Sequence, residues 1–578
     1  MKRLGWFALG GAVVAAVGTV AACSGDEADG GGTPDSGAIA TDASASSSSG
    51  NTCPPEPPMD AACNVAKCTA DLGEPAICNA GACQKLASED CAAADVFGAY
   101  TDDRAIWIGG ALAMVQANGK INTSGPPRRN SIQFAVDQIN GVGGVPPTDS
   151  ACGAARPLAA IVCDDGGGRN ASGMTDATER AGKHLVQELG IQAIIGAGTS
   201  GPTIAMAQKI ALPAKALMIA PSATAIAITD LEGANPAGEP RLLWRTAPSD
   251  LLQSQALLKL YEGVVAKQGG TTKLAVVDKG DAYGKGLGDA FQAAVVLNGS
   301  PIPTGAADAG DGGGNPSTEN YYRGQCAASA APADAGLPLP CQAQVAALEA
   351  LRPTIIMLAG TAESITQIMV PYEATLGASD PKPFYLLPDG PAKTELFDAV
   401  KAKPELAERI QGTVPGASTT LATNFFDLGY KLKFPQVPDE NGSPVDSTLL
   451  FGMAGSYDAT YLITYAMVAS KLPGKAYTGS QIAAGFAQQI AGTPIDVGFA
   501  NFGAATTALR SGLTIDFNGA SGPLTFDLAT GTAPSDMIIW CVRKNPSSAT
   551  GDYQRYDSTG QTFNSQAGTL DGTYTCPN

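Results

Sequence analysis

The chain has 578 residues and a formal charge of −18, and its only histidine is His184. The negative balance disfavours nucleic acid and anionic lipid surfaces as partners. His184 falls inside a predicted helix beside an apolar stripe, so Ser-His-Asp and Cys-His catalysis are not expected. The length allows two or three compact units.

Residues 1–22 form a predicted export signal. Lys2 and Arg3 precede an apolar stretch rich in small residues, which ends in Val-Ala-Ala-Cys at Cys23. This ending resembles the lipobox of bacterial lipoproteins, which implies that Cys23 is lipidated and anchors the chain at the periplasmic face of a membrane of the cell envelope. A retained transmembrane anchor stays the alternative, because the apolar stretch is nearly long enough to span a bilayer.

Two short segments follow the signal. Residues 23–52 are dominated by Gly, Ser, Ala, Thr and Asp, a composition that predicts a flexible linker. Residues 53–91 carry six cysteines at nearly regular spacing and are too short to build a core, so they are predicted to depend on disulfides. This Cys-rich module is interpreted as a spacer held together by disulfides, with a small protein-binding unit as the alternative.

The cysteine count agrees with export. Thirteen cysteines minus Cys23 leave an even number, as an oxidised protein requires. Outside the module, the cysteines fall into couples that are close in sequence, which predicts the disulfides Cys152–Cys163, Cys326–Cys341 and Cys541–Cys576. No CxxC pair occurs, so no metal site is expected.

From about Ala105 onwards, apolar strands alternate with helical segments, the pattern of a parallel sheet flanked by helices. The predicted strands are 105–112, 158–163, 191–195, 216–220, 273–277, 354–359 and 383–387. The predicted helices are 130–140, 175–189, 204–210, 251–265, 286–297, 342–351 and 457–470. Segments 301–341 and 424–447 are predicted to be surface insertions.

Hydroxyl side chains follow two neighbouring strands. Thr199 and Ser200 come after the strand at 191–195, and Ser222 and Thr224 come after the strand at 216–220. Ligands of such sheets bind beyond the carboxyl ends of the strands, so these hydroxyls are predicted to bind a small polar ligand. The first loop also matches G-x-G-x-x-G, but no carboxylate follows about twenty residues on, so no nucleotide cofactor is expected.

Further polar residues end other strands. Tyr283 opens a helix after the strand at 273–277, where it covers a ligand or packs at the helix start. Asp389 follows the strand at 383–387, where it faces the same crevice or shapes a Pro-Asp-Gly turn. Asp164 and Asp165 are adjacent and point to opposite faces of a strand, so they are interpreted as solvated loop ends, not as an acid–base pair.

In chain order, these segments resemble the leucine/isoleucine/valine-binding family of ABC-transporter solute-binding proteins. The matching landmarks are 135–140, 163–165, 196–203, 221–224, 245–250, 278–286, 388–390 and 522–526. The resemblance implies two α/β lobes joined by three strand-like crossings. The implied crossings are 245–248, 411–415 and 516–523, and the implied lobes are 104–247 plus 413–518 (lobe I) and 248–412 plus 519–578 (lobe II).

In this family, hydroxyls of lobe I hold the α-carboxylate of the ligand, and an aromatic and an acidic residue of lobe II face its ammonium group. The matching positions are Thr199, Ser200, Ser222, Thr224, Tyr283 and Asp389. Thr361 stands where many relatives have an aromatic pocket residue. Neutral hydroxyls suit a carboxylate and a single anion suits an ammonium, because both charges need partners when buried.

The expected function is therefore binding, with no catalytic residue, cofactor or metal. A lipid-anchored protein would close two lobes on an amino acid-like ligand and deliver it to an ABC permease in the membrane. The alternative is a sensor or receptor lipoprotein that signals through a partner docked on the Cys-rich module. An enzyme using Asp164 or Asp165 is a third, disfavoured reading.

Overall fold

The structure, a computed structural model, describes residues 62–577 with internal gaps. The gaps are 117, 148–153, 168–173, 234–237, 303–318, 328–340, 417–419, 472–476, 547 and 549. The predicted signal and linker, Cys23 and Cys152 therefore lie outside the described residues. Within the described part, no helix has both the length and the apolar character needed to cross a membrane.

The Cys-rich module folds as a helix and a hairpin. Its elements are α1 (Val65–Leu72), β1 (Ala76–Asn79) and β2 (Ala82–Lys85). Asn64 caps α1 by accepting a hydrogen bond from the Lys67 backbone N–H at 2.9 Å. The disulfide Cys68–Cys83 joins the helix to the hairpin, and the disulfide Cys63–Cys78 joins the segment just before the helix to the hairpin.

The module packs directly on lobe I, so its interpretation as a spacer is wrong. Val65, Ile77 and Leu86 are buried in one apolar cluster with residues of the first sheet and its helices. A disulfide between Cys91 and Cys163 joins the module to a strand of that sheet. The predicted Cys152–Cys163 pair is therefore wrong, because the fold brings a cysteine 72 residues away in sequence to the strand.

The first half of lobe I is a six-stranded sheet in the order β3-β5-β4-β6-β7-β8, parallel except for the edge strand β3. Its strands are β3 (Val96–Gly98), β4 (Ile106–Leu112), β5 (Leu158–Asp164), β6 (Ala193–Gly196), β7 (Leu217–Ala220) and β8 (Leu243–Arg245). Its helices are α2 (Gly125–Gly141), α3 (Met174–Lys183), α4 (Ser200–Met206) and α5 (Ala227–Asp230). The α3 and α4 helices continue as π-helical turns, His184–Glu188 and Ala207–Ala211.

Lobe II has a second parallel sheet in the order β12-β9-β13-β14-β15. Its strands are β9 (Leu274–Asp278), β12 (Tyr321–Gln325), β13 (Ile355–Ala359), β14 (Phe384–Leu387) and β15 (Ile410–Pro415), with a short hairpin of β10 (Val296–Leu297) and β11 (Ser300–Pro301). Its helices are α6 (Asp250–Gln268), α7 (Ala282–Ala294), α8 (Gln342–Leu351), α9 (Val370–Thr375) and α10 (Thr394–Ala402). Segment 301–341 is not only an insertion, because it supplies the edge strand β12 and the disulfide Cys326–Cys341.

The chain then returns to lobe I. The elements there are α11 (Leu421–Lys433), β16 (Gln436–Pro438), β17 (Pro444–Asp446), α12 (Met453–Ala469), α13 (Gly479–Ala484), β18 (Thr493–Asp496), α14 (Phe499–Arg510), β19 (Ile515–Gly519) and β20 (Gly522–Pro523). Every described residue of α12 except Ala454 is buried, so this helix is a central part of the core. Segment 424–447 is likewise more than an insertion, because Phe426 and Tyr430 of α11 pack in that core.

The last strands extend the lobe II sheet. They are β21 (Met537–Lys544), β22 (Tyr553–Tyr556), β23 (Gln561–Asn564) and β24 (Thr569–Gly572). The β21 strand pairs antiparallel with β15, and the predicted disulfide Cys541–Cys576 joins β21 to the C-terminal residues.

The chain passes between the two cores three times, and two crossings differ from the prediction. Residues 411–415 lie within β15, so the second crossing follows that strand. Leu524 and Phe526 pack in the lobe I core, where the Phe526 ring meets Trp244 edge-on at 5.3 Å. The third crossing therefore lies between Ala533 and Met537, and residues 519–533 belong to lobe I.

Candidate functional site

The loops at the carboxyl ends of strands from both lobes meet in one region. The negative charge of Asp389, after β14, acts on the guanidinium of Arg128 in α2 and on the carboxyl of Asp250 at the start of α6. Ala282, the first residue of α7, packs against the apolar cluster of lobe I. Arg128, Asp250 and Asp389 thus lie near one another where loops of the two lobes meet.

The predicted hydroxyls of lobe I differ in the hydrogen bonds that they already make within the protein. Ser222 donates its hydroxyl proton to the Gly198 carbonyl at 2.9 Å. The Ser200 oxygen accepts a hydrogen bond from the Ala225 N–H at 3.2 Å, which leaves its own proton free for a ligand. Thr199 is exposed at the start of α4. Ser200 is therefore the better donor to an anion.

Asp250 is the most unusual group of the site. It is fully buried, and neither carboxylate oxygen has a hydrogen-bond partner among the described residues. Burial raises its pKa well above the ordinary value, and the charge of Asp389 raises it further, although the neighbouring Thr224 hydroxyl and Arg245 guanidinium oppose this. Thr224 and Arg245 thus offset the burial of Asp250 only in part, and its pKa stays well above the ordinary value.

On the lobe II side, Tyr283 and Asp389 are joined. The Tyr283 hydroxyl donates to Asp389 Oδ1 at 3.0 Å and accepts from the Gly390 N–H at 3.2 Å. Burial raises the pKa of Asp389, partly offset by hydrogen bonds from Tyr283 and Gln253. Burial and the nearby carboxylates hold the pKa of Tyr283 well above its usual range, so the phenol stays a donor.

Thr361, predicted to be a pocket residue, makes its hydrogen bonds within its own loop. Its backbone N–H donates to Glu363 Oε1 at 2.6 Å, and its hydroxyl donates to the other oxygen of the same carboxylate. Its loop does border the site, because a Cβ added to Gly390 would lie 2.3 Å from the Gly360 carbonyl oxygen and 2.8 Å from the Tyr283 hydroxyl. Thr361 shapes the loop, with its hydroxyl already engaged by Glu363.

Arg128 is a site residue that the sequence analysis did not identify. Its Nε and Nη2 donate to the Phe451 carbonyl at 3.0 and 2.8 Å, and its Nη1 donates to the Gly198 carbonyl at 3.0 Å. Burial lowers its pKa to about 10 against the opposing charges of Asp165 and Asp389. The guanidinium remains a cation and retains one further N–H on each terminal nitrogen.

Asp164 and Asp165 are not solvated, which corrects their interpretation as loop ends. Both are fully buried. One oxygen of Asp164 accepts three backbone N–H groups, from Met114, Val115 and Gly166, at 2.7 to 3.2 Å. Asp165 accepts the Gly198 N–H at 2.9 Å, while burial raises its pKa to about 7. Their described bonds fix the loops that carry the site.

His184 lies away from this crevice, at the contact with the Cys-rich module. It is 5% exposed, and its ring nitrogens contact Glu188 Oε2 at 2.6 Å and the Leu86 carbonyl at 3.0 Å. These contacts assign it a structural role in docking the module.

Comparison with solved structures supports the fold. The branched-chain amino acid transporter substrate-binding protein LivJ from Streptococcus pneumoniae, solved with isoleucine, is 17% identical, with a TM-score of 0.50 over 78% of this chain and 99% of LivJ. The leucine-binding protein LivK from Thermotoga maritima is also 17% identical, with a TM-score of 0.50 over 78% of this chain and 97% of LivK. No family model and no curated protein sequence match the chain. The predicted resemblance is thus confirmed for the two-lobed α/β fold.

Proposed function

We propose that this protein is an extracytoplasmic solute-binding protein of an ABC-type uptake system that binds an amino acid-like zwitterion between its lobes. Lipidated Cys23 would anchor it at the periplasmic face, and an ABC permease would receive the solute. The main support for this proposal is Asp250, a buried carboxylate whose oxygens have no hydrogen-bond partner among the described residues, and its closeness to Asp389.

An ammonium group is the natural partner for these two carboxylates. It has three N–H donors, enough to bond Asp250 and Asp389 together. Burying carboxylates without such donors costs several kcal/mol per ion, by the order of magnitude known for buried charges. Because the oxygens of Asp250 can still accept hydrogen bonds, a cationic group on the solute is favoured.

The other end of the solute needs acceptors for Ser200 and Arg128. An α-carboxylate accepts from the free Ser200 hydroxyl and from the guanidinium N–H groups that the Gly198 and Phe451 carbonyls leave unused. Donors of one lobe and carboxylates near the other thus select a molecule with opposite charges close together. The isoleucine in the LivJ structure has this pattern.

The function requires the two lobes to close around the solute. Open and closed states of such proteins differ by a few kcal/mol, so contacts made in the closed state alone can shift the population. Asp389 and Arg128 lie in different lobes, so a zwitterion that bonds both residues would stabilise the closed state.

Calorimetric titration of the delipidated full-length protein with the proteinogenic amino acids tests the proposal. Binding should be lost when the amino group is acetylated or the carboxyl is amidated. Asp389→Ala should weaken binding by about 2–5 kcal/mol, as expected when a buried charge loses its partner. Asp446→Asn, at an exposed carboxylate of β17, is the matched control. Unchanged affinity in Asp389→Ala would exclude the ammonium contact.

Sensing through a partner is the second candidate. The Cys-rich module is fixed to lobe I by the Cys91–Cys163 disulfide, so a partner bound there would report on that lobe. Charge reversal at exposed module residues such as Lys67 should then abolish the signal and leave solute affinity unchanged. Uptake that survives this change with no loss of signalling would favour transport.

A further inference from the structure

The α11 helix carries apolar side chains on two opposite faces. One face packs in the core of lobe I, where Ala422, Phe426 and Tyr430 are buried. The opposite face lies in solvent and carries four large apolar side chains that are 59 to 76% exposed, which we call the α11 stripe. Its residues are Leu421, Phe425, Leu428 and Leu432. A helix that is apolar on both faces is normally covered on both, so the α11 stripe indicates a contact surface.

The α11 stripe is self-complementary. Its residues are spaced by four, three and four positions, so they follow one face of the helix and the spacing is the same from either end. A two-fold axis at the midpoint of the stripe places the α11 helix of a second copy antiparallel to the first. Phe425 then meets Leu428 of the second copy, and Leu421 meets its Leu432. An interface between identical chains requires this reciprocity.

The area of the α11 stripe suits a reversible dimer. Large apolar side chains present roughly 150–200 Å² each, so four that are 59 to 76% exposed offer about 400–500 Å². Two copies would bury about 800–1,000 Å² together, which is near the lower limit for a specific interface. The net charge of −18 also repels two copies at low ionic strength. The expected dimer is therefore weak and depends on concentration.

The charges beside the α11 stripe favour a second copy over a membrane surface. Lys431 bonds Asp427 at 2.8 Å, and Lys433 bonds Asp137 of α2, so both lysines already face carboxylates. Helices that lie on anionic membranes present lysines and arginines to the lipid headgroups. Residues 23–52 are dominated by small and polar types, so they offer little apolar surface to cover the stripe.

The antiparallel arrangement also avoids opposing the lysines of the two copies. Asn424 and Lys431 are exposed and flank the α11 stripe on the same side of the helix, seven positions apart. The two-fold axis keeps this side of both helices together and exchanges their ends. Asn424 of each copy therefore lies beside Lys431 of the other, and an uncharged amide faces each lysine.

We propose that the α11 stripe is the interface of a homodimer, in which two copies of this chain pair through antiparallel α11 helices of lobe I. The pairing uses none of the residues of the solute site. Copies held on one membrane by the proposed lipid anchor would meet at a high effective concentration, so a weak contact is sufficient there.

Sedimentation velocity of the delipidated full-length protein, from about 1 to 200 µM, tests the dimer. Wild type should change from monomer to dimer as the concentration rises. Phe425→Glu combined with Leu428→Glu buries carboxylates in the contact and should abolish the dimer. Both side chains are exposed, so the thermal transition of this double variant should match that of monomeric wild type. Val296→Glu, at a 54% exposed residue of the lobe II hairpin, is the matched control and should dimerise as wild type does.

Charge changes at Asn424 test the antiparallel register. Asn424→Glu places a carboxylate beside Lys431 of the second copy, twice in the symmetric pair, and should tighten dimerisation about threefold or more at low salt. Asn424→Lys places two lysines together and should weaken dimerisation by a similar factor. Gln566→Glu and Gln566→Lys, at an exposed residue of lobe II, change the net charge equally and should leave dimerisation unchanged within twofold.

A wild type that stays monomeric throughout, or a dimer that survives the double glutamate change, would overturn the interface. A dimer that responds to neither charge at Asn424 would refute the antiparallel pairing. Flotation with vesicles of phosphatidylglycerol and phosphatidylcholine tests the lipid alternative. Vesicle binding that Asn424→Lys strengthens, by a protein that stays monomeric in solution, would assign the stripe to a membrane instead. Asp389→Ala should dimerise as wild type does, so this inference and the proposed function can fail separately.

Discussion

Asp250→Asn should make the solute-free protein more stable while it weakens solute binding. Asp250 is fully buried with no hydrogen-bond partner for either oxygen among the described residues, so its charge is a cost in the absence of solute. An amide of the same shape removes this charge. If Asp250 binds the solute as proposed, stability and function are opposed at this position.

The difference in unfolding free energy between Asp250→Asn and wild type should depend on pH. The folded-state pKa of Asp250 is raised well above its unfolded value of about 3.9, so the folded state binds more protons and stability falls as pH rises between the two pKa values. The slope from this one carboxyl is up to about 1.4 kcal/mol per pH unit. Asp250→Asn removes that contribution, so its advantage over wild type should be near zero at pH 4 and should grow as pH rises.

Urea unfolding of solute-free wild type and Asp250→Asn at several pH values from 4 to 8 measures this difference. Asp446→Asn, at an exposed carboxylate, should run parallel to wild type within about 0.5 kcal/mol. In calorimetry, a bound ammonium should lower the pKa of Asp250, so solute binding to wild type should release protons and Asp250→Asn should release fewer. Parallel stability profiles for Asp250→Asn and wild type would refute the unpaired buried charge.

Three further changes test the packing. Replacing both Cys91 and Cys163 by alanine should cost about 4 kcal/mol in urea unfolding, since the disulfide closes a long loop; a cost below 1 kcal/mol would mean that the module docks without it. Glu373→Gln should cost about 2–3 kcal/mol by the same assay, because this 4% exposed carboxylate bonds a lysine and an arginine that are themselves partly exposed; an unchanged midpoint would contradict this. Phe426→Ala should cost about 3–5 kcal/mol, whereas Phe425→Ala, at the neighbouring 65% exposed ring, should cost under 1 kcal/mol by thermal unfolding; equal losses would contradict the assigned helix face.

The sequence predicted the parallel strands well because each is a continuous apolar run. The strand predicted at 158–163 spans Leu158–Asp164, and the one at 383–387 spans Phe384–Leu387. Such runs are buried on both faces, which makes them readable without tertiary information. The helix predicted at 286–297 starts earlier, at Ala282, because Asp281 caps it by accepting the Gly284 N–H at 2.9 Å.

The predictions that were wrong or incomplete concerned contacts between segments that are distant in sequence. The partner of Cys163 comes from a module that folds back on the sheet, which spacing alone does not reveal. Asp165 is buried because the loop containing Gly198 covers it. Arg128 and Asp250 become site residues through loops from both lobes, and the resemblance marked only the segment that contains Asp250.

The disulfide between Cys91 and Cys163 also gives the N-terminal module a second covalent link to lobe I, beside the main chain that leads into β3. Whatever the residues before Ala62 are attached to, a pull on them passes through the module into β5, a strand inside the first sheet. In the proposed closure, lobe I would then be the fixed body and lobe II the moving one. If the N-terminus is anchored as proposed, a load on the anchor would enter the molecule through lobe I and would not need to pass through the crossings.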